Sequence, residues 1–123
     1  MLYAILCYHS EDIVGAWSQE HEAAVMSRLA AVRQKIADEG RLGPCVRLMP
    51  TTAATTLRKG KDHLVIDGPF AETKEQLLGF YVIECRDLEH AIETARELAR
   101  ANDVVGAYEI RPLRVYHPPG VPA

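Results

Sequence analysis

The sequence of 123 residues predicts one α+β domain in which two helices cover one face of an antiparallel sheet. Apolar runs typical of strands alternate with helical patterns, and the order strand–helix–strand occurs twice around a hairpin. The composition agrees, because a hydrophobic fraction of 48% and a charged fraction of 25% are typical of a soluble globular domain. We expect the domain to span residues 1–114, followed by a proline-rich, extended tail at 115–123.

The first half of the domain begins with residues 2–8, a run too short and too apolar for an amphipathic helix, which predicts a buried strand. Ser18 is expected to cap the first helix, because its hydroxyl can accept a hydrogen bond from a free backbone amide. Gly40 predicts the end of this helix, and His21 is expected to extend its apolar stripe toward the start. The stripe itself consists of Val25, Leu29, Val32 and Ile36.

The rest of the chain supplies the hairpin and the second half. Residues 11–15 are predicted to form a loop, and residues 73–76, with the pattern T-x-x-Q, predict a brief helical turn. The strongest strand is expected at 77–85, a second helix begins after Asp87, and residues 108–113 predict the last strand. Short strands of the hairpin region are expected at 46–49, 54–58 and 63–66.

Two strand runs, 2–8 and 77–85, are apolar on both faces, although two helices can cover only one face of the sheet. The uncovered face therefore needs another apolar surface, and a second copy of the chain is the simplest one. The sequence thus predicts a homodimer.

Composition and spacing also disfavour several classes of function. A net charge of -3 and a pI near 5.9 leave no basic field for phosphate contacts, so we expect no nucleic-acid partner. No apolar run is long enough to span a bilayer, and the start has no signal-peptide pattern, so we expect no membrane association and a cytoplasmic location. The histidine and cysteine spacings match no metal motif, and no phosphate-loop or dinucleotide motif occurs, so we predict no metal and no cofactor.

Two segments resemble a known family. The stretch 67–81, DGPFAETKEQLLGFY, resembles the signature of the DGPF branch of the YciI-related family, and EIRPL at 109–113 is similar to that family's closing strand. The resemblance implies a ferredoxin-like fold that pairs face to face into a dimeric α+β barrel. It also implies a cleft in which a histidine of the first helix meets the signature aspartate. Matched onto this chain, these two residues are His21 and Asp67.

A pair formed by His21 and Asp67 would suit acid–base chemistry without a cofactor. The carboxylate would fix the imidazole tautomer and stabilise its protonated form, while the other ring nitrogen exchanges a proton with a substrate. The alternative is structural: His21 is then an interior histidine, and Asp67 a turn former before Gly68. Weaker candidates for ligand contact are Arg28, Tyr81 and Arg111.

Two functions from different classes stay open at this point. The first is a small-molecule enzyme or enzyme-like binder that takes a small aromatic or acidic ligand. The resemblance also links DGPF proteins to sigma factors, which leaves a non-catalytic dimeric module that senses a ligand or assists transcription regulation. A wet cleft with a perturbed histidine would favour the enzyme, whereas a large exposed apolar patch would favour the module.

Overall fold

The structure, a computed structural model, describes residues 1–122 and contains helices and strands in the predicted α+β order. The strands are β1 (Leu2–His9), β2 (Leu42–Arg47), β3 (Thr55–Leu57), β4 (Val65–Asp67), β5 (Gln76–Glu84) and β6 (Gly106–Pro112). The helices are α1 (Glu11–Gly15), α2 (Gln19–Asp38) and α3 (Leu88–Ala101), with a 3₁₀ turn at Thr51–Ala53.

The main sheet has the strand order β2-β5-β1-β6, and every neighbouring pair is antiparallel. This arrangement confirms the predicted ferredoxin-like α+β class. In its centre, Ile5 of β1 pairs with Tyr81 of β5 on one side and with Ile110 of β6 on the other. Strands β3 and β4 form a separate two-stranded sheet, which we call the hairpin arm.

Helix α2 starts and ends as the sequence predicts. The Ser18 hydroxyl accepts a hydrogen bond of 3.0 Å from the His21 amide, which satisfies one of the amides left free at a helix start. Gly40 follows the helix with φ 73°, a left-handed conformation that favours glycine. Between these ends, Val25, Leu29 and Ile36 are buried.

The core lies between one face of the main sheet and helices α2 and α3. Asp87 caps α3 by accepting a hydrogen bond of 2.8 Å from the His90 amide, which confirms the predicted cap. Successive side chains of a strand point to opposite faces, and the helix-facing set of β1 is buried. Its members Tyr3, Ile5 and Cys7 belong to the same core cluster as the buried residues of both helices.

Arg41, just after α2, ties three elements together. Its Nε donates a hydrogen bond of 2.9 Å to the Glu84 carbonyl at the end of β5. Its two terminal nitrogens donate to Thr94 Oγ1 of α3 at 2.5 Å and to Glu39 Oε1 at 2.7 Å. The guanidinium therefore fixes the end of α2 against both the sheet and the second helix.

Several local predictions were wrong, and the strand expected at 46–49 lies at Leu42–Arg47. Residues Glu11–Gly15 form helix α1 rather than a loop, because Ser10 caps it by accepting a hydrogen bond from the Ile13 amide. No helical turn forms at residues 73–76: Gln76 is the first residue of β5, and its side-chain nitrogen donates to the Thr73 carbonyl at 2.6 Å. His21 is exposed and does not extend the buried stripe of α2. Val32 of the predicted apolar stripe is only half-buried.

The hairpin arm and the tail lie outside this core. All three residues of β4 are exposed, so no helix covers the arm. After β6, the Leu113 amide still donates a hydrogen bond of 2.9 Å to the Leu2 carbonyl, and the chain from there to residue 122 contains no strand. Residue 123 of the predicted tail lies outside the described residues. Within residues 1–122, no helix has the length and apolar character needed to cross a membrane.

Candidate functional site

A cavity of about 350 Å³ lies between α2 and the main sheet. Its volume falls in the range of small-molecule sites, roughly 300–1,000 Å³. Trp17, Met26 and Leu29 line it from the helix side, while Tyr81 and Tyr108 line it from the sheet. The lining is thus mainly apolar and aromatic, with a few polar groups, as is typical of sites for small organic molecules.

On the sheet side, a glycine and a cysteine on neighbouring strands line the cavity. Gly79 of β5 pairs with Cys7 of β1, and both residues line the cavity. A Cβ at position 79 would collide with the backbone carbonyl of Val46 on β2, so only glycine fits there without a shift of the strands. The glycine lets β5 and β2 lie close together beside the cavity.

His9, the last residue of β1, is the histidine that the structure places in this cavity. It is only 6% exposed, and its Nδ1 is buried without a hydrogen-bond partner. The Tyr108 ring lies edge-on to the imidazole, with ring centroids 5.7 Å apart and an interplanar angle of 79°. Gly106 of the same strand also packs so closely that a Cβ there would collide with His9 Nδ1. The imidazole is therefore held in place by packing against two residues of β6.

A second buried polar atom without a partner, Asn102 Oδ1, lies in the same part of the molecule. A smaller cavity of about 230 Å³ is present beside α3 and β6, and His9, Asn102 and Tyr108 line both cavities. Buried polar atoms almost always have hydrogen-bond partners, so two unpartnered ones at a shared cavity wall mark a place where a water or a ligand can bind.

Burial lowers the pKa of His9 from its ordinary value of 6.5, and the backbone carbonyl of Val105 and the carboxylate of Glu75 oppose this effect. A charged imidazole would have to give up its hydration inside the protein, which disfavours protonation. His9 is therefore neutral at pH 7, with one ring nitrogen free to accept a proton.

Cysteine and tyrosine side chains of the cavity are also neutral at pH 7. Burial raises the pKa of Cys7 to about 12, with the charge of Cys45 adding to the shift. Burial likewise raises the pKa of Tyr81 and of Tyr108. These groups can donate hydrogen bonds, but Cys7 does not supply a thiolate nucleophile.

The predicted pair of His21 and Asp67 is not in contact in this structure. The His21 ring packs against Trp17, with ring centroids 4.8 Å apart, and so lies next to a residue of the cavity wall. Asp67 is exposed at the end of β4, where it pairs with Thr55 across the hairpin arm. Among residues 1–122, no hydrogen bond or ion pair joins the two side chains. The acid–base pair therefore stays a prediction.

The signature around Asp67 forms a turn. Gly68 has φ 101°, which favours glycine, and its amide donates a hydrogen bond of 2.7 Å to the Ala54 carbonyl. Thr56 Oγ1 donates a bond of 2.8 Å to the Gly68 carbonyl. These two bonds fix the direction in which the chain leaves the hairpin arm.

The three predicted ligand contacts lie in different places. Tyr81 lines the cavity. Arg28 points elsewhere, because its Nε donates a hydrogen bond of 3.0 Å to the Ala101 carbonyl at the end of α3. Arg111 is exposed on β6 opposite Ala4, whose neighbours Tyr3 and Ile5 face the core, so Arg111 belongs to the other face of the sheet.

Sequence reasoning missed His9 and Arg33, both of which line the cavity. The signal for His9 was the strand period, since it continues the alternation of Ile5 and Cys7 by one further step. The signal for Arg33 was the helix period, because it follows the buried Leu29 by four residues. Among residues 1–122, no cluster of three His, Cys, Asp or Glu side chains could hold a metal ion.

Comparison with known proteins shows similarity over nearly the whole chain. A family model, the YCII-related domain, matches residues 1–116, which include every strand and helix described above. An uncharacterized protein of Rhizobium meliloti (strain 1021) is 53% identical over 124 residues, an alignment that covers 100% of each chain. The similarity thus extends over the whole fold and is not confined to the signature.

Proposed function

The chain belongs to the YCII-related domain family, and we propose that it binds a small aromatic molecule under α2 and exchanges a proton with it at His9. One observation carries the proposal: a buried, neutral histidine with an unpartnered ring nitrogen lies in the wall of a cavity of small-molecule size. The unpartnered oxygen of Asn102 at the same wall gives the ligand a further hydrogen-bond acceptor.

The chemistry that suits this wall is proton abstraction and return. The neutral imidazole would accept a proton from a C–H or O–H group of the ligand and give it back to another atom, so that the net reaction is an isomerisation. Negative charge that develops on the ligand would need a hydrogen-bond donor, and the neutral Tyr108 hydroxyl is the nearest candidate. The step requires no oxidant and no cofactor.

We include His21 and Asp67 in the proposal as a second acid–base pair, with His21 next to a residue of the cavity wall. His21 packs against Trp17, so a ligand that reaches past this ring would meet it. A direct pair with Asp67 requires the hairpin arm to approach the start of α2. This part of the proposal is therefore tested by its own variants.

The test is proton exchange. Small aromatic molecules with an acidic C–H group are incubated with the protein in D₂O, and the loss of each proton signal is followed by NMR. We expect the wild-type protein to catalyse exchange for some of them, and His9→Gln to abolish it while the bound ligand still raises the thermal midpoint. His63→Gln, on the exposed hairpin arm, is the matched control.

His21→Gln and Asp67→Asn are measured in the same assay. A loss of exchange in both variants, with exchange intact in His9→Gln, would move the chemistry to the predicted pair. Ligand binding without exchange in the wild-type protein would overturn the acid–base proposal and leave a binding module.

We also propose that the protein is a homodimer that pairs through the open face of the main sheet. Val46, Phe80 and Leu6 are aligned across β2, β5 and β1 on this face, and none of them is fully buried. Covering them would remove apolar surface from water. A stable pair is expected to bury roughly 2,000 Å² in total. Light scattering at micromolar concentration should give twice the chain mass, and Leu6→Glu should give the monomer mass.

The second candidate function, a non-catalytic module that assists a regulatory protein such as a sigma factor, is favoured by a different surface. Around the hairpin arm, apolar side chains are open to solvent: Met49 is 76% exposed, Leu57 56%, Val65 63% and Phe70 74%. Exposed apolar patches commonly mark protein-binding sites. We place either function in the cytoplasm, where the three free cysteines would stay reduced.

A further inference from the structure

The charged side chains that line the main cavity are all positive. Arg33 and Arg47 contribute to its wall, and among the lining residues within 1–122 there is no aspartate or glutamate. A cleft lined by one sign of charge attracts ligands of the opposite sign. The cavity therefore differs from the protein as a whole, whose net charge is -3.

The two arginines are not equivalent. Arg47 is already paired, since its guanidinium lies 2.7 Å from Glu22 Oε1 on α2. No carboxylate among residues 1–122 lies within 4.0 Å of Arg33, which is half-buried in the middle of the same helix. A partly buried charge without a carboxylate partner loses hydration and gains no ion pair in return, although the neutral Tyr81 hydroxyl lies within hydrogen-bonding reach of Arg33. An anionic ligand would supply the missing partner.

The surroundings of Arg33 show where that anion would lie. Burial raises the pKa of Tyr81 and of Cys45, and the positive charge of Arg33 opposes the shift in both groups. The guanidinium is therefore close to both, and an anion bound by Arg33 would meet the Tyr81 hydroxyl as a second hydrogen-bond donor.

The position of Tyr81 along the sheet also sets the shape of the ligand. Tyr81 pairs with Ile5, which lies four residues before His9 on β1. At roughly 3.3 Å per residue, the Tyr81 and His9 ends of the cavity are therefore about 13 Å apart along the strand. Gly79, which lines the cavity and pairs with Cys7, lies between these two positions. A ligand that touches both ends is elongated and apolar in its middle.

We propose that the cavity takes a small aromatic carboxylic acid, with Arg33 as the anchor of the carboxylate and Tyr81 as its second donor. The aromatic body lies over Gly79 and extends toward His9. This inference rests on the proposed function, because it names the ligand class of the same cavity.

The experiment compares two probes of the same shape, cinnamate and its neutral amide cinnamamide, by isothermal titration near pH 7.5. We expect the wild-type protein to bind cinnamate about tenfold or more tightly than cinnamamide, because only the acid forms a charge-assisted pair. Arg33→Met should remove this preference and Arg33→Lys should keep part of it. Arg100→Met, an exposed arginine of α3 outside the cavity, should retain the full preference.

Circular dichroism and the thermal midpoint check that Arg33→Met is folded, and the midpoint should not fall because the variant removes an unpaired charge. Equal affinities of the wild-type protein for the two probes would overturn the anchor while leaving the cavity as a binding site. An undiminished preference in Arg33→Met would overturn the role of Arg33. If neither probe bound to the wild-type protein, the proposed binding of small aromatic molecules would fail, and the anchor would fail with it.

Discussion

The cavity under α2 and the hairpin arm contain similar apolar residues, but these residues are buried beside the cavity and exposed to solvent in the arm. Beside the cavity, Leu29 is 4% exposed because the helix and the sheet cover it from two sides. In the arm, Leu57 is 56% exposed because two short strands have no helix above them. The sequence signature at 67–81 joins the two regions, because its Asp67 ends the arm whereas its Gly79 and Tyr81 line the cavity. One signature can therefore contain a structural turn and also part of a binding site.

The largest expected difference between the two regions is in the cost of removing a leucine. Leu29→Ala should lower the free energy of unfolding by about 2–5 kcal/mol, since it removes buried methyl groups and leaves a cavity. Leu57→Ala should cost less than about 0.5 kcal/mol, the scale of surface substitutions. Urea unfolding of both variants measures this. Comparable losses would mean that the arm is covered in solution.

A smaller effect is expected at Gly106, which touches the His9 ring. Gly106→Ala should cost about 1–3 kcal/mol, because the new methyl group collides with His9 and the Tyr8 carbonyl and forces the strands to shift. Gly15→Ala in α1 is the control, since a Cβ there meets no atom within 4 Å, and it should be neutral or slightly stabilising. If thermal unfolding gave equal midpoints for the two variants, the packing of His9 against β6 would be looser than the structure indicates.

The smallest expected effect is a change in pH dependence. The pKa of His9 is lower in the folded protein than in the unfolded chain, so the unfolded chain takes up a proton more readily below about pH 6.5. Stability should fall as pH decreases from about 7.5 to about 5.5, and His9→Gln should make this fall shallower. Burial and the charge of Arg41 also lower the pKa of His90, so part of the slope should remain. His63→Gln on the arm is expected to keep the wild-type slope, and an unchanged slope in His9→Gln would contradict a buried neutral imidazole.

The sequence was informative where one residue's chemistry decides a local structure. Ser18 and Asp87 cap helices as predicted, because a hydroxyl or carboxylate before a helical pattern has few other roles. Period was sufficient for β1, β5 and β6, but the strand expected at 46–49 lies at Leu42–Arg47. The capping pattern that predicted a helical turn failed at Gln76. This residue pairs with His9 in the sheet, and its side-chain oxygen accepts a hydrogen bond from the Glu11 amide.

The site was less predictable, because cavities depend on contacts between residues distant in sequence. Asp67 and His21 were matched by resemblance and by order along the chain, neither of which reports distance. His9 and Arg33 are brought to one cavity only when α2 packs on the sheet, and Gly79 joins them only because β5 pairs with β1. No pattern within a single element contains that information.

The contacts of Arg41 have a consequence for the speed of folding. Its partners Glu84 and Thr94 lie 43 and 53 residues further along the chain, so the contacts form only after a long loop has closed. Interactions of this kind are expected to be largely absent from the transition state. Arg41→Met should therefore accelerate unfolding and leave the folding rate almost unchanged in stopped-flow measurements. This arginine would then govern how long a folded molecule survives, more than how quickly it forms.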